Sequence, residues 1–278
     1  MDLEVVLKGV LPSIGAALLL VSLGGARWLP LAVALGLLAA SGLLRRQWPE
    51  WPHELWTNPN GTAWLPWVVG AGALVAFAEH FKILPRKAGL VLGAVVGAAA
   101  VWLVLLKVSA RWTPTEVMLR TGGSALAAVL LVAGSRTVLQ RAPANPFPAI
   151  LFTLVLSVDA ALITLGGTAL IGQLCGAIAA AVGAGIGTAL WRRPFAMSAA
   201  DGTWLGVAHT AFLAAGAFLA DLPLAAAGCA AVAPLALLLL REGVGSTKPK
   251  TWAFAATALA AVPLAGAVWF ALPEASSG

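Results

Sequence analysis

The chain has 278 residues, of which 60% are hydrophobic and only 10% charged, and its mean hydropathy is +0.93. Soluble domains carry about 25% charged residues, so this composition excludes an ordinary water-soluble fold. Lys and Arg outnumber Asp and Glu by 17 to 11, but the cations sit singly or in pairs between apolar runs. They read as topology signals for a membrane protein, and no nucleic-acid partner is expected.

Taken in chain order, apolar runs predict ten membrane spans: 9–25, 28–44, 64–82, 87–107, 117–138, 148–165, 168–190, 203–220, 222–240 and 252–272. The fold class is therefore an all-α polytopic bundle forming a single transmembrane domain over 1–278. No cleavable signal is expected, because MDLEVVLK opens acidic and Pro12 and Gly15 interrupt the first apolar run. Two runs must fold back on themselves. A continuous helix over 148–190 would be about 64 Å long at 1.5 Å per residue, twice the thickness of a bilayer. Gly166-Gly167 breaks it, and Asp221-Leu222-Pro223 breaks 203–240. Ten spans would suit two five-helix halves of opposite orientation, although Pro234 and Pro263 have no counterparts in the fourth and fifth spans.

Loops after odd-numbered spans hold 11 of the cations, from Arg27 through Arg136 and Arg141 to Lys250, and the opposite side holds 6. The positive-inside rule then puts both termini outside. The composition is bacterial in style, which points to the cytoplasmic (inner) membrane. Trp28, Trp204 and Trp252 open spans and Trp191 and Trp269 lie at or near span ends, the pattern of an interfacial belt.

Between the second and third spans the chain reads 45-RRQWPEWPHELWTNPNGTAWLPW-67. Residues 45–63 form the longest outer loop, and so many indoles cannot float in water. One reading is a lid lying in the headgroup layer. The sharper one is a recognition surface, with Trp48, Trp51 and Trp56 offering ring faces and Glu50, His53 and Glu54 beside them as acid, base or counter-charge.

Polar groups at bilayer depth are costly, so they mark candidate sites. Asp159 lies near the middle of the sixth span, with Thr153 close to its face. His209 lies inside the eighth span and Gln173 in the seventh. An Asp and a His at this depth suit a proton relay or coupling site. From the span centres Asp159 falls about 4 Å outward and His209 about 4 Å inward, so a direct bond needs a register shift or a bridge such as Gln173. Glu79 and His80 read as an ordinary pair with Lys82 at a span end.

Gly89-x3-Gly93-x3-Gly97 in the fourth span and Gly172-x3-Gly176 in the seventh are close-packing stripes. VGAGIG follows no strand and is no phosphate loop. Cys175 and Cys229 have no metal-type spacing, and no catalytic residue, metal or cofactor is expected. Three functional classes fit: a small-solute or proton-coupled permease first, a non-catalytic structural or assembly subunit of a larger membrane complex second, and an enzyme acting on lipid-linked substrates third. The expected partners are the bilayer, a small solute and protein subunits of such a complex.

Overall fold

The computed structural model describes residues 3–46, 48–57, 60–189, 195–240 and 249–272. Among them there is no strand, and nine helices are long and apolar enough to cross a membrane. In a bilayer only a helix closes its own backbone hydrogen bonds, which is why Ala-, Leu- and Val-rich runs of this length adopt it.

We number the helices α1 (Leu3–Gly24), α2 (Leu29–Arg45), α3 (Pro52–Thr57), α4 (Gly61–His80), α5 (Arg86–Ser109), α6 (Pro114–Arg141), α7 (Phe147–Leu165), α8 (Ala169–Ala189), α9 (Asp201–Leu219), α10 (Leu224–Leu239) and α11 (Pro249–Ala271). Helix α3 is a single short turn outside the spans. Helix α10 is shorter than its neighbours and closes with a 3-10 turn, Leu237–Leu239. Helix α6 begins at a Thr113–Glu116 capping box and passes through a π-helical turn, Val117–Gly122. Gly167 at φ 107 turns the chain between α7 and α8, and Asp221 at φ 52 turns it between α9 and α10.

Helix α9 is the hub. It packs against α4, α5, α6, α7, α8 and α10, and every residue from Asp201 to Gly216 is buried. Lipid gives apolar helices no hydrophobic reason to associate, so close packing of small residues must hold them. Helix α9 supplies it through Gly202 and Gly206, whose bare faces lie on the backbone of α6 at Ser135–Arg136 and at Val132. A Cβ on Gly206 would stand 2.6 Å from Val132 Cα. The Gly89/Gly93/Gly97 stripe of α5 faces Glu79, Thr203, Val132 and Ala128, and Gly172 of α8 faces Thr164 and the Ala160 carbonyl of α7. Gly176 also faces Ala160.

The sequence predicts ten spans, but among the described residues nine helices qualify and α10 is shorter than these. Packing within the two expected halves corresponds in part, α1 on α2 matching α7 on α8 and α5 on α6 matching α10 on α11. Helix α1 also runs along α8, and α7 has no comparable packing on α2 among the described residues. The tryptophan belt divides. Trp204 and Trp252 are fully buried, whereas Trp269 is 76% exposed. Trp204 donates from its indole N–H to Asp201 Oδ1 and Trp252 stacks edge-on against Phe147, so a partner inside the bundle draws each inward. Trp191 lies outside the described residues, as do Arg192, Arg193, Arg241 and Lys248.

Candidate functional site

Asp159 and His209 meet directly. Nδ1 of His209 lies 2.5 Å from Oδ2 of Asp159, with Asp159 fully buried and His209 4% exposed. The offset expected from the span centres is not kept, because α7 and α9 do not run in constant register. Ile163 packs at Gly216 and Asp159 bonds His209, so four residues of α7 accompany seven of α9. The two helices therefore advance unequally along their contact, and side-chain reach closes the rest.

Each partner keeps one unsatisfied atom. Asp159 Oδ1 and His209 Nε2 are both buried with no hydrogen-bond partner among the described residues. Buried polar atoms in folded chains nearly always have partners, so two orphans on adjacent groups call for an explanation. With one proton on Nδ1 directed at Oδ2, Nε2 presents a free lone pair. A second proton there makes an imidazolium that balances the carboxylate. The pair can thus hold one proton or two without breaking its own bond.

Gln173 and Thr153 do not join it. Gln173 lines a groove of about 470 Å³ with Val10 of α1 and Ala160 and Thr164 of α7, and forms no hydrogen bond among the described residues. Thr153 donates its hydroxyl to Ala149 O at 2.8 Å, the usual way a helix absorbs a threonine.

A second polar cluster lies where α4 ends, α5 begins, α6 ends and α9 begins. Arg136 donates to Glu79 through both nitrogens, Nη1 to Oε2 at 2.8 Å and Nη2 to Oε1 at 3.0 Å. Nη1 also donates to Thr203 Oγ1 at 2.6 Å, and Nη2 to the Arg86 carbonyl at 3.1 Å. His80 Nε2 stands 3.1 Å from Asp201 Oδ1, while Asp201 Oδ2 accepts from Ser198 N at 2.8 Å. Glu79 and His80 therefore do not pair with Lys82, contrary to the expectation from spacing; each reaches across to another helix. Arg136 is not a loop charge either. It is 5% exposed inside α6, and Gly89, by lacking a Cβ, leaves the space that the Glu79 carboxylate fills. Hydropathy does not mark Arg136, Asp201 or Thr203 as site residues. Span parity alone brings Glu79, His80, Arg136 and Asp201 to one end of the bundle, and that signal could have found them.

At the opposite end, the tryptophan-rich segment is built around α3. Glu54 accepts from Trp51 N at 2.8 Å and so caps the short helix it begins. Leu55 is buried beneath it, and the Trp67 indole donates to Glu50 O at 2.9 Å. Trp51 packs beside Trp67 with centroids 5.7 Å apart, and Trp56 edge-on against Trp64 at 5.4 Å. Trp48 is 86% exposed, and His53 is exposed as well. Trp51 and Trp56 thus each pack against another indole, whereas Trp48 makes no ring contact among the described residues, and Glu50, His53 and Glu54 form no mutual hydrogen bond. Among the described residues no group of three His, Cys, Asp or Glu could hold a metal ion. The chain matches no known family, no curated protein and no solved structure.

Proposed function

We propose that this chain is a proton-coupled permease for a small solute, with Asp159 and His209 as its coupling site. One observation carries the reading: two groups able to exchange protons are bonded at mid-helix inside a membrane bundle, and each retains a free polar atom. An ionised carboxylate at this depth costs about 3 kcal/mol even on the lenient insertion scale, and intramembrane Asp and His commonly mark proton paths. The Glu79–Arg136 and His80–Asp201 pairs close the bundle at the α4–α5 end and serve as the seal on that side. We place that end in the cytoplasm of a bacterium, with the chain in the inner membrane and both termini outside. With Arg136 removed as buried, cations still divide ten to six in that sense.

The test uses purified protein in proteoliposomes on a solid-supported membrane, with a panel of small solutes and an imposed proton gradient. The wild type is expected to give a solute-dependent current that changes with the gradient. Asp159→Asn should insert and melt normally yet give none. A proton-coupled current retained in Asp159→Asn would overturn the assignment.

Gln173 favours a second reading, as a subunit of a larger complex. Its free amide lies in a groove walled by Ala160, Gly172 and Gly176, a surface on which a partner's membrane helix could pack and hydrogen-bond. Co-purification of a stoichiometric membrane partner, lost on Gln173→Leu, would move the balance to that reading.

A further inference from the structure

Beside the tryptophan segment, α1 and α2 enclose a hollow of about 540 Å³ between Lys8, Ala39, Gly42, Leu43, Arg46 and Trp48. Trp48 is also a wall of a second hollow, of about 220 Å³, which it shares with Leu38, Pro49, Trp51 and Trp67. The two hollows share Trp48; Lys8 and Arg46 line the larger, and apolar side chains line the smaller.

The charges at the larger hollow are not fully spent. Glu4 accepts from Lys8, taking one of its three N–H bonds, and Glu4 is itself 65% exposed on the side chain. The Arg46 guanidinium has no hydrogen-bonded partner among the described residues; the acid its field reaches is the same Glu4. Arg45, next in the chain, is committed elsewhere, to Thr62 Oγ1 at 2.7 Å, with Glu50 as its nearby acid. Two cations therefore face one acid, and the excess is positive.

The surroundings choose the occupant. Leu7 and Leu11, on α1 with Lys8, and Leu43 of α2, a wall of the larger hollow, are 41–54% exposed, as apolar side chains that meet acyl chains are. Trp48, which is 86% exposed, stands where an indole takes headgroup depth. A ligand here must carry an anion at one end and hydrocarbon at the other.

We propose that this surface is a binding site for an anionic phospholipid, whose phosphate lies between Lys8 and Arg46 and whose upper acyl chain lies over Leu38, Leu43 and Trp48. Basic groups at headgroup depth attract acidic headgroups electrostatically, each cation adding to the attraction. The site gives the tryptophan segment a purpose independent of transport: Trp48 and Trp51 form the wall that separates a bound lipid from the bulk bilayer.

Native mass spectrometry of the detergent-purified full chain tests it, with phosphatidylglycerol, phosphatidylcholine and inorganic phosphate as separate probes. Phosphatidylglycerol should bind at least tenfold more tightly than phosphatidylcholine. Lys8→Gln/Arg46→Gln should remove most of that preference, about tenfold, as expected for two headgroup cations. Lys107→Gln/Arg111→Gln, another pair of cations, should leave it intact. As a check that survives poor folding of the double variant, phosphatidylglycerol brominated near the headgroup should quench wild-type fluorescence more than that of Trp48→Phe. Equal binding of the two lipids, or an unchanged preference in the double variant, overturns the site. Displacement of the lipid by millimolar inorganic phosphate would show a free-anion site instead.

Discussion

Glu79 on α4 and Arg136 on α6 form a two-pronged ion pair inside the bundle, with N–O distances of 2.8 and 3.0 Å. Thr203 and the Arg86 carbonyl occupy further guanidinium donors, so α4, α5 and α9 all bond the cation that α6 carries. Removing one member of such a pair strands the other. Glu79→Leu and Arg136→Leu are each expected to cost about 3–5 kcal/mol, whereas the double apolar change should cost less than either alone. Thermal melting in detergent, arranged as a double-mutant cycle, measures this. Additive losses would mean that the pair does not act as a unit.

The glycines next to this pair are not equivalent to those elsewhere. A methyl on Gly89 would enter the Glu79 carboxylate, and one on Gly202 would enter the α6 backbone at Arg136. Gly228 has nothing within 4 Å of where its Cβ would lie. Gly228→Ala should therefore be neutral or stabilise by up to about 1 kcal/mol, through helix propensity. Gly89→Ala and Gly202→Ala should lower the melting temperature, with Gly202→Ala the more harmful because backbone cannot move aside. Comparable melting of all three would contradict the packing.

The 2.5 Å contact between His209 and Asp159 has a spectroscopic consequence. A proton held in so short a bond resonates far downfield of an ordinary imidazole N–H. The chain has three histidines, so His53→Gln and His80→Gln variants assign the signals. The downfield resonance should persist in both and vanish in Asp159→Asn. Its survival in Asp159→Asn would place the short bond elsewhere.

Threading can be read from thiol chemistry in a Cys175→Ser/Cys229→Ser background. Thr57 lies at the end of α3, at one end of the bundle, and Ile83, 74% exposed, just beyond α4 at the other. On intact cells an impermeant maleimide should label Thr57→Cys and spare Ile83→Cys. The reverse pattern would invert the proposed orientation, and equal labelling would deny that α4 crosses the membrane.

The helical class of this protein is legible in its residues alone. Hydropathy and length predict an all-helical membrane bundle because a bilayer demands apolar runs of fixed length, a condition that nine of the helices meet, each by itself. The turn at Gly166-Gly167 and the cost of Asp159 are local in the same sense. Partnership is not local. Arg136 reads as a loop charge in one dimension, and only the seating of α6 on Gly202 and Gly206 buries it against Glu79 and Thr203. By spacing, Glu79 belongs with Lys82 three residues away, but in the folded chain it meets Arg136, 57 positions on, while His80 beside it meets Asp201. Asp159 and His209 are out of step when measured from their span centres, and the unequal advance of α7 and α9 along their contact brings them together. Which residues are expensive follows from the residue and its depth, so sequence suffices for it. Which residue answers that expense depends on helix tilt and register, and those are set by the packing of small side chains across the whole bundle.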